Sequence, residues 1–526
     1  MPVEAPSKQL KVGSSAAVDG SFDPARRAFL NGCVNFARGL FSVVFTVILT
    51  PFLVAHLGLA GFGVWSLLGV FITYITLVDL GISGATAKFV GGLSPSEDTA
   101  RLNSFFTGSM AVTAGIALAT LLLVYVFRNT LETDLGAFGL FGADAKVFLV
   151  GAAALYSVGI VSSGLSYVLL GLHRLDVANY IAASVLLVQA VGTVVVLEAG
   201  LGLPGLVGLM TGAAAVSIVA YFVAVRKLAP SVRFHWKDFN FRTVRELFTF
   251  GVYLQAYGLV CVYYIYMGKA VVSLRFPLAA VAAYEVALRL PVLFRQGIST
   301  MLGPMMPAVA HLDARGGSRQ VKSLLLKALR YSLLLGAPVF VGVAVFAGPV
   351  IQLWVGPGFS TSVMPLRILS VAFGLGVFPD LVWYFLVGLG RHRVGMIFSL
   401  LQVIFGTFLS YSLSIRWALP GVAIGVFLTS LLGVLLYAAL LVREELLSWS
   451  DLPVRLACKV SVIASGAYLI VFVLARRFQP TYWNLALAMF LGSMVYILWL
   501  MKAGVLEGKE KLFLRGHVPS YLHFLC

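Results

Sequence analysis

Arg38, Asp79, Glu285, Arg289, Arg295 and Asp380 each lie within, or at the edge of, a long apolar run. If those runs cross lipid, a charge inside one costs roughly 2.5–3.5 kcal/mol on insertion scales, so it must pair, reach water or serve a function. Arg38 belongs to a stripe. Asn31, Asn35, Arg38, Ser42 and Thr46 follow one another at spacings of four, three, four and four. That spacing puts them on one face of a helix. The face could line a hydrated cavity in which Arg38 holds an anion; alternatively Asn31 and Asn35 pack or snorkel near a membrane surface.

Glu285 and Arg289 stand four apart, close enough to neutralise each other as a structural ion pair or to present both groups to a passing solute. Arg295 has no partner in its own run and lies near its end, where snorkelling costs little. Asp79 shares a helical face with Thr76 and Ser83. Asp380 follows Pro379, and a proline kink frees backbone carbonyls; a kink-associated hydrogen bond and a proton site are both open readings. Tyr253, Tyr257 and Tyr264 share a face of another run, as a platform for sugar rings or as interfacial and packing aromatics.

What must position these groups is plain from composition. Apolar residues make up 60% of the 526 positions, charged ones 11%, and the mean hydropathy is +0.97. A soluble domain is about 25% charged. Only lipid can cover so much apolar surface, and only helices or closed barrels can span lipid. The net charge of +17 resides mostly in short links between apolar runs, which argues for membrane orientation rather than a nucleic-acid partner. Cys33, Cys261, Cys458 and Cys526 are too scattered for a disulfide or metal framework. No phosphate-binding G-x-x-x-x-G-K-[ST] loop, H-E-x-x-H or C-x-x-C occurs, so the reading is of a non-enzyme with no cofactor and no metal.

Runs long enough to span the hydrocarbon, about 20 residues, fall at 30–56, 60–84, 103–127, 146–171, 177–197, 204–225, 247–268, 279–301, 324–348, 365–389, 394–415, 421–442, 457–475 and 482–501. The expected fold is an all-α polytopic membrane protein of about 14 transmembrane helices. With both termini in the cytoplasm, 27 of the 38 Lys and Arg residues fall on the inner side, eight outside (Lys269 among them) and three within helices. That bias predicts a multi-pass protein of a bacterial inner membrane in this orientation.

The chain also repeats. Gly81-Ile82-Ser83 returns as Gly297-Ile298-Ser299 and Leu203-Pro204-Gly205 as Leu419-Pro420-Gly421, both 216 residues on. Gly171-Leu172-His173-Arg174 returns as Gly388-Leu389-Gly390-Arg391 at 217. A repeat of six helices predicts two parallel lobes related by an axis along the membrane normal, a plan of alternating-access carriers. The divisions are a polar segment 1–27, an N-lobe 28–226, a basic linker 227–246, a C-lobe 247–443, two further helices within 444–502 and a tail 503–526. The same offset sets Asp79 against Arg295, opposite charges that could pair or gate across the lobes.

The stretch from Asn31 to Gly92 carries Thr50-Pro51-Phe52-Leu53-Val54, Leu57-Gly58, Phe62-Gly63, Trp65, Asp79-Leu80-Gly81-Ile82 and Lys88. It resembles the opening of the polysaccharide-biosynthesis flippases, the O-antigen (Wzx-type) branch of the multidrug/oligosaccharidyl-lipid/polysaccharide (MOP) exporter superfamily. The resemblance implies a flippase for a polyprenyl-diphosphate-linked oligosaccharide, with membrane lipid as its medium and a polysaccharide polymerase or glycosyltransferases as partners. The headgroup would occupy a cavity between the lobes, its diphosphate meeting arginines and its tail remaining in lipid. A cation-coupled drug or metabolite antiporter of the same superfamily, or a membrane-embedded polysaccharide-assembly enzyme, stays open beside it.

Overall fold

The computed structural model describes residues 45, 47–69, 81–91, 93, 98–135, 142–172, 174–302 and 305–505. Among the described residues there is no strand. The helices are α1 (Val47–Gly69), α2 (Ile82–Gly91), α3 (Thr99–Leu135), α4 (Gly142–Gly171), α5 (Leu175–Glu198), α6 (Gly202–Leu228), α7 (Phe241–Arg275) and α8 (Leu278–Leu302). They continue as α9 (Met305–Ala314), α10 (Ser318–Val345), α11 (Ala347–Trp354), α12 (Val363–Gly388), α13 (His392–Arg443), α14 (Val454–Ala475) and α15 (Tyr482–Lys502). Ten helices among the described residues are long and apolar enough to cross a membrane. Only 11% of the most apolar stretch of α3 is buried within the protein, so the rest needs lipid.

Two of these helices are interrupted. Gly58 in α1 has φ 68°, a left-handed value that breaks the helical geometry where the sequence predicts the gap between its first two spans. In α13, Trp417 and Ala418 leave helical geometry just before Pro420. Ser399 bonds Tyr437, and Ser410 donates to the carbonyl of Val422, so the two arms lie antiparallel. They correspond to the runs 394–415 and 421–442.

In the first part of the chain α4 packs against α2, α3 and α6; in the second, α12 packs against α8, α10 and α13. The parts meet where α7 touches α2 and α3. Gly81, at φ 70°, lies against the carbonyl of Gly251 with no room between for a Cβ. The basic linker is tied to α3: the backbone N–H of Arg233 donates to Asn103 Oδ1 at 2.8 Å and that of His235 to Thr107 Oγ1 at 3.3 Å.

One expectation needs correcting. The stretch after residue 84 reads as loop, yet α2 continues to Gly91 with Ala85, Thr86 and Val90 buried. Thr86 donates to Ser109 of α3, and Lys88 lies 3.6 Å above the Phe250 ring, so small residues and one stacked cation make a packed helix from a segment that hydropathy alone leaves out.

Candidate functional site

Only Phe276 and Pro277 separate α7 from α8, so the helices run back along each other. Lys269, near the end of α7, therefore faces Glu285, near the start of α8. Lys269 Nζ donates to Glu285 Oε2 at 2.6 Å and to the backbone carbonyl of Ser66 at 2.8 Å. Arg289 Nε donates to the other carboxylate oxygen at 2.9 Å. Arg289 also donates to Thr50 Oγ1 at 2.6 Å and lies over the Phe62 ring at 5.3 Å. Lys269 is 2% exposed, Glu285 12% and Arg289 15%. Buried charges persist only when paired and hydrogen-bonded, as these are.

The pairing of Glu285 with Arg289 is the one the sequence predicts; the second cation is not. The apolar run ends at 268 by hydropathy, which leaves Lys269 as an outer-surface charge. In the structure α7 continues through Ala270-Val271-Val272 to Arg275, which carries Lys269 inside. Six further residues of helix after the lysine were the missed signal. Counted with all three groups ionised, two cations on one carboxylate give the cluster a formal charge of +1.

The cluster borders a cavity of about 430 Å³. Trp65 and Ser66 of α1, Gln189 of α5 and Met210 of α6 line it from before the linker; Tyr266 and the charged trio line it from after. Both parts of the chain thus contribute to one space of the size usual for ligand sites.

Arg295 is the third correction. It does not snorkel. It is 7% exposed, and its guanidinium forks onto Asp380, Nε to Oδ2 at 2.8 Å and Nη2 to Oδ1 at 2.7 Å. Ser299 donates to the same carboxylate at 2.8 Å. Asp380 thus accepts from side chains of α8 instead of serving the backbone at the Pro379 kink. Tyr264 lies 5.0 Å from the Arg295 guanidinium and its hydroxyl bonds Ser430 at 3.0 Å. These groups border another cavity, about 440 Å³, enclosed by α7, α8, α12 and α13. Asn31, Asn35, Arg38 and Asp79 lie outside the described residues, as do the side chains of Tyr253 and Tyr257. Of the three tyrosines, Tyr264 is placed at a cavity.

An apolar helical bundle with a buried cationic cluster between its parts defines a membrane protein with an internal polar site. The chain belongs to the family of polysaccharide biosynthesis proteins, whose model matches residues 57–364. This agrees with the resemblance of its opening to the polysaccharide branch of the MOP superfamily. It is 22% identical to the membrane protein EpsK of Bacillus subtilis, over 65% of this chain and 68% of that one. It is 21% identical to the probable low-salt glycan biosynthesis flippase Agl15 of Haloferax volcanii, over 77% and 81% respectively. Among solved structures, the lipid II flippase MurJ in an inward closed conformation superposes with a TM-score of 0.67 at 14% identity, covering 89% of this chain and 97% of that one. An inward-facing multidrug-resistance MATE transporter of the MOP superfamily gives 0.60 at 16%, covering 79% and 95%.

Proposed function

We propose that this protein is a flippase that carries a polyprenyl-diphosphate-linked oligosaccharide from the cytoplasmic to the outer leaflet of a bacterial inner membrane. The observation that carries the reading is the sign of the central site: Lys269 and Arg289 share Glu285 and leave one positive charge facing a cavity that both parts of the chain line. A diphosphate is the part of such a substrate that needs that charge. A cation-coupled exporter needs the reverse, a surplus of buried carboxylate. Agl15 is named as a probable glycan-biosynthesis flippase and MurJ as a lipid II flippase, which supports the same class.

Each sugar hydroxyl buried without a partner costs several kcal/mol, so the headgroup does not cross lipid unaided. The cavity replaces water while the tail stays in the bilayer. Export of an anion from a negative cytoplasm gains about 2.3 kcal/mol per charge per 100 mV. Alternating access rests on the two-lobe plan. A shift of 216 residues lays α3 on α10, α4 on α12, α5 on the first arm of α13 and α6 on its second. Moreover, α4 packs on α3 and α6 as α12 packs on α10 and α13. This supports two six-helix lobes, with α14 and α15 appended and about 14 spans in all. As the helical face in the sequence suggests, we propose that Arg38 adds a cation, and Asn31 and Asn35 neutral amides, to the path of the substrate. The Arg295–Asp380 bridge stiffens the C-lobe, and Asp79 acts at the lobe interface.

The test is flipping of a fluorescent short-chain polyprenyl-diphosphate glycan in proteoliposomes. Lys269→Met and Arg289→Met are each expected to slow it by roughly tenfold or more, the effect of about 1.4 kcal/mol, with the protein still folded in the membrane. Unchanged rates would reject the anion site.

A further inference from the structure

The cavity enclosed by α7, α8, α12 and α13 differs from the central one in the sign of its lining. Its two charged groups, Arg295 and Asp380, are bound to each other through both ends of the guanidinium fork, so its net charge is zero. An inorganic cation entering there meets the guanidinium, and an anion meets the carboxylate. A ligand without charge meets neither obstacle. The rest of the wall is aromatic faces interleaved with uncharged hydrogen-bonding groups. Trp383, Tyr384 and Tyr437 supply rings; Gln296, Ser399 and Gln402 supply amides and a hydroxyl.

One of those groups is unspent. Gln402 is 3% exposed, and its amide nitrogen has no hydrogen-bond partner within the protein. A buried donor left unmade costs about 1–3 kcal/mol. That nitrogen is packed against Gly433 on the second arm of α13, so a ligand that accepts from it must first turn the amide toward the cavity. Flat apolar rings beside hydroxyl and amide groups match a pyranose, which has apolar C–H faces and a rim of hydroxyls. Paired charges add strong donor and acceptor edges for such hydroxyls without attracting ions. The volume, about 440 Å³, is within the usual range for a small-molecule site.

Position completes the argument. Gln296 of this cavity and Arg289 of the central cluster are both on α8, seven residues apart. That is two turns of helix, about 10 Å. A sugar held at the first would thus lie within reach of a diphosphate held at the second. We propose that the C-lobe cavity binds one neutral sugar ring of the headgroup, near its diphosphate end. This rests on the central cluster being the diphosphate site.

The experiment uses full-length protein in nanodiscs and diazirine-bearing monosaccharides of the gluco and galacto series, with and without N-acetyl groups. After irradiation, labelled peptides are mapped by mass spectrometry. At least one sugar is expected to label the segment from Pro379 to Gln402, competed by the same sugar without the diazirine. Gln402→Leu and Trp383→Ala are each expected to cut that labelling roughly fivefold, the order of one lost contact, and Trp383→Phe, which keeps a ring, to retain most of it. Lys269→Met should leave it in place. Farnesyl diphosphate, read by thermal shift, reports the central cluster separately: its shift should vanish in Lys269→Met and persist in Trp383→Ala. Labelling no greater than with a sugar-free diazirine, labelling confined to other segments, or labelling untouched by both Gln402→Leu and Trp383→Ala overturns the sugar site. No farnesyl diphosphate shift in the wild type, or a shift kept in Lys269→Met, overturns the central reading instead.

Discussion

Lys269 and Arg289 grip opposite oxygens of one carboxylate, that of Glu285, at 2.6 and 2.9 Å. Neither cation has a carboxylate of its own there, and the surplus positive charge is a property of the trio.

Glu285→Gln should therefore expose the site's demand for an anion. Removing one partner of a buried ionic cluster costs about 3–5 kcal/mol, so the melting temperature in detergent should fall. Farnesyl diphosphate should then raise it more in the variant than in the wild type, because the diphosphate replaces the lost carboxylate. Equal shifts in the two proteins would count against an anion site.

Arg295 and Asp380 should behave as a single unit. Asp380→Asn strands a buried guanidinium and is expected to destabilise by about 3–5 kcal/mol, whereas the double variant Arg295→Met/Asp380→Leu should recover much of that. Chemical unfolding of the two singles and the double measures the coupling. Simple addition of the two single effects would mean that the bridge contributes nothing.

Gly81→Ala should disturb the contact between the two parts of the chain. The added Cβ meets the Gly251 carbonyl, and the residue sits at φ 70°. A non-glycine residue held there costs about 1–3 kcal/mol before any clash is counted. Cysteine pairs across α2 and α7 should cross-link more slowly in the variant, and an unchanged rate would show that the helices adjust freely.

Acid should weaken the tie between α10 and the segment before α14. The Lys322 ammonium, 2.6 Å from Asp451, together with bonds from Ser448, holds the Asp451 carboxyl below the usual carboxylate range. A depressed carboxyl stabilises the fold at pH above its unfolded value, about 4, and loses that contribution as pH falls further. Asp451→Asn should thus flatten the fall in melting temperature below that pH. A fall as steep as that of the wild type would leave the tie without thermodynamic weight.

The orientation can be checked with single cysteines. Those at Thr130 and Gly358 should react with an impermeant thiol reagent added outside, and one at Gly317 should not. The opposite pattern would invert the topology.

Hydropathy located much of this architecture because length and apolarity report a helix directly. The run 482–501 is α15, Tyr482–Lys502, and the gap before 421 is the reversal at Trp417 and Ala418. It failed where a helix outlasts its apolar stretch, at Lys269 and in α2. Pairing was legible only within one helix. Glu285 and Arg289 are four apart and visible; Arg295 and Asp380 are 85 apart, and no periodicity connects them. The unspent amide of Gln402 is likewise a tertiary fact, since an amide among apolar residues looks the same in sequence whether or not it is satisfied.

The two-residue turn between α7 and α8 also bears on how the protein is made. Lys269 leaves the ribosome before Glu285, so α7 alone would have to enter the bilayer with an uncompensated ammonium, a penalty of roughly 2.5–3.5 kcal/mol. With only Phe276 and Pro277 to pass, the carboxylate follows close behind. The helices are thus built to partition into the membrane together, as a hairpin in which Lys269 already has its carboxylate. Lengthening that turn by many residues should make α7 and α8 partition one after the other. It should leave α7 stalled in the translocon or degraded, even though every residue of the finished site is intact.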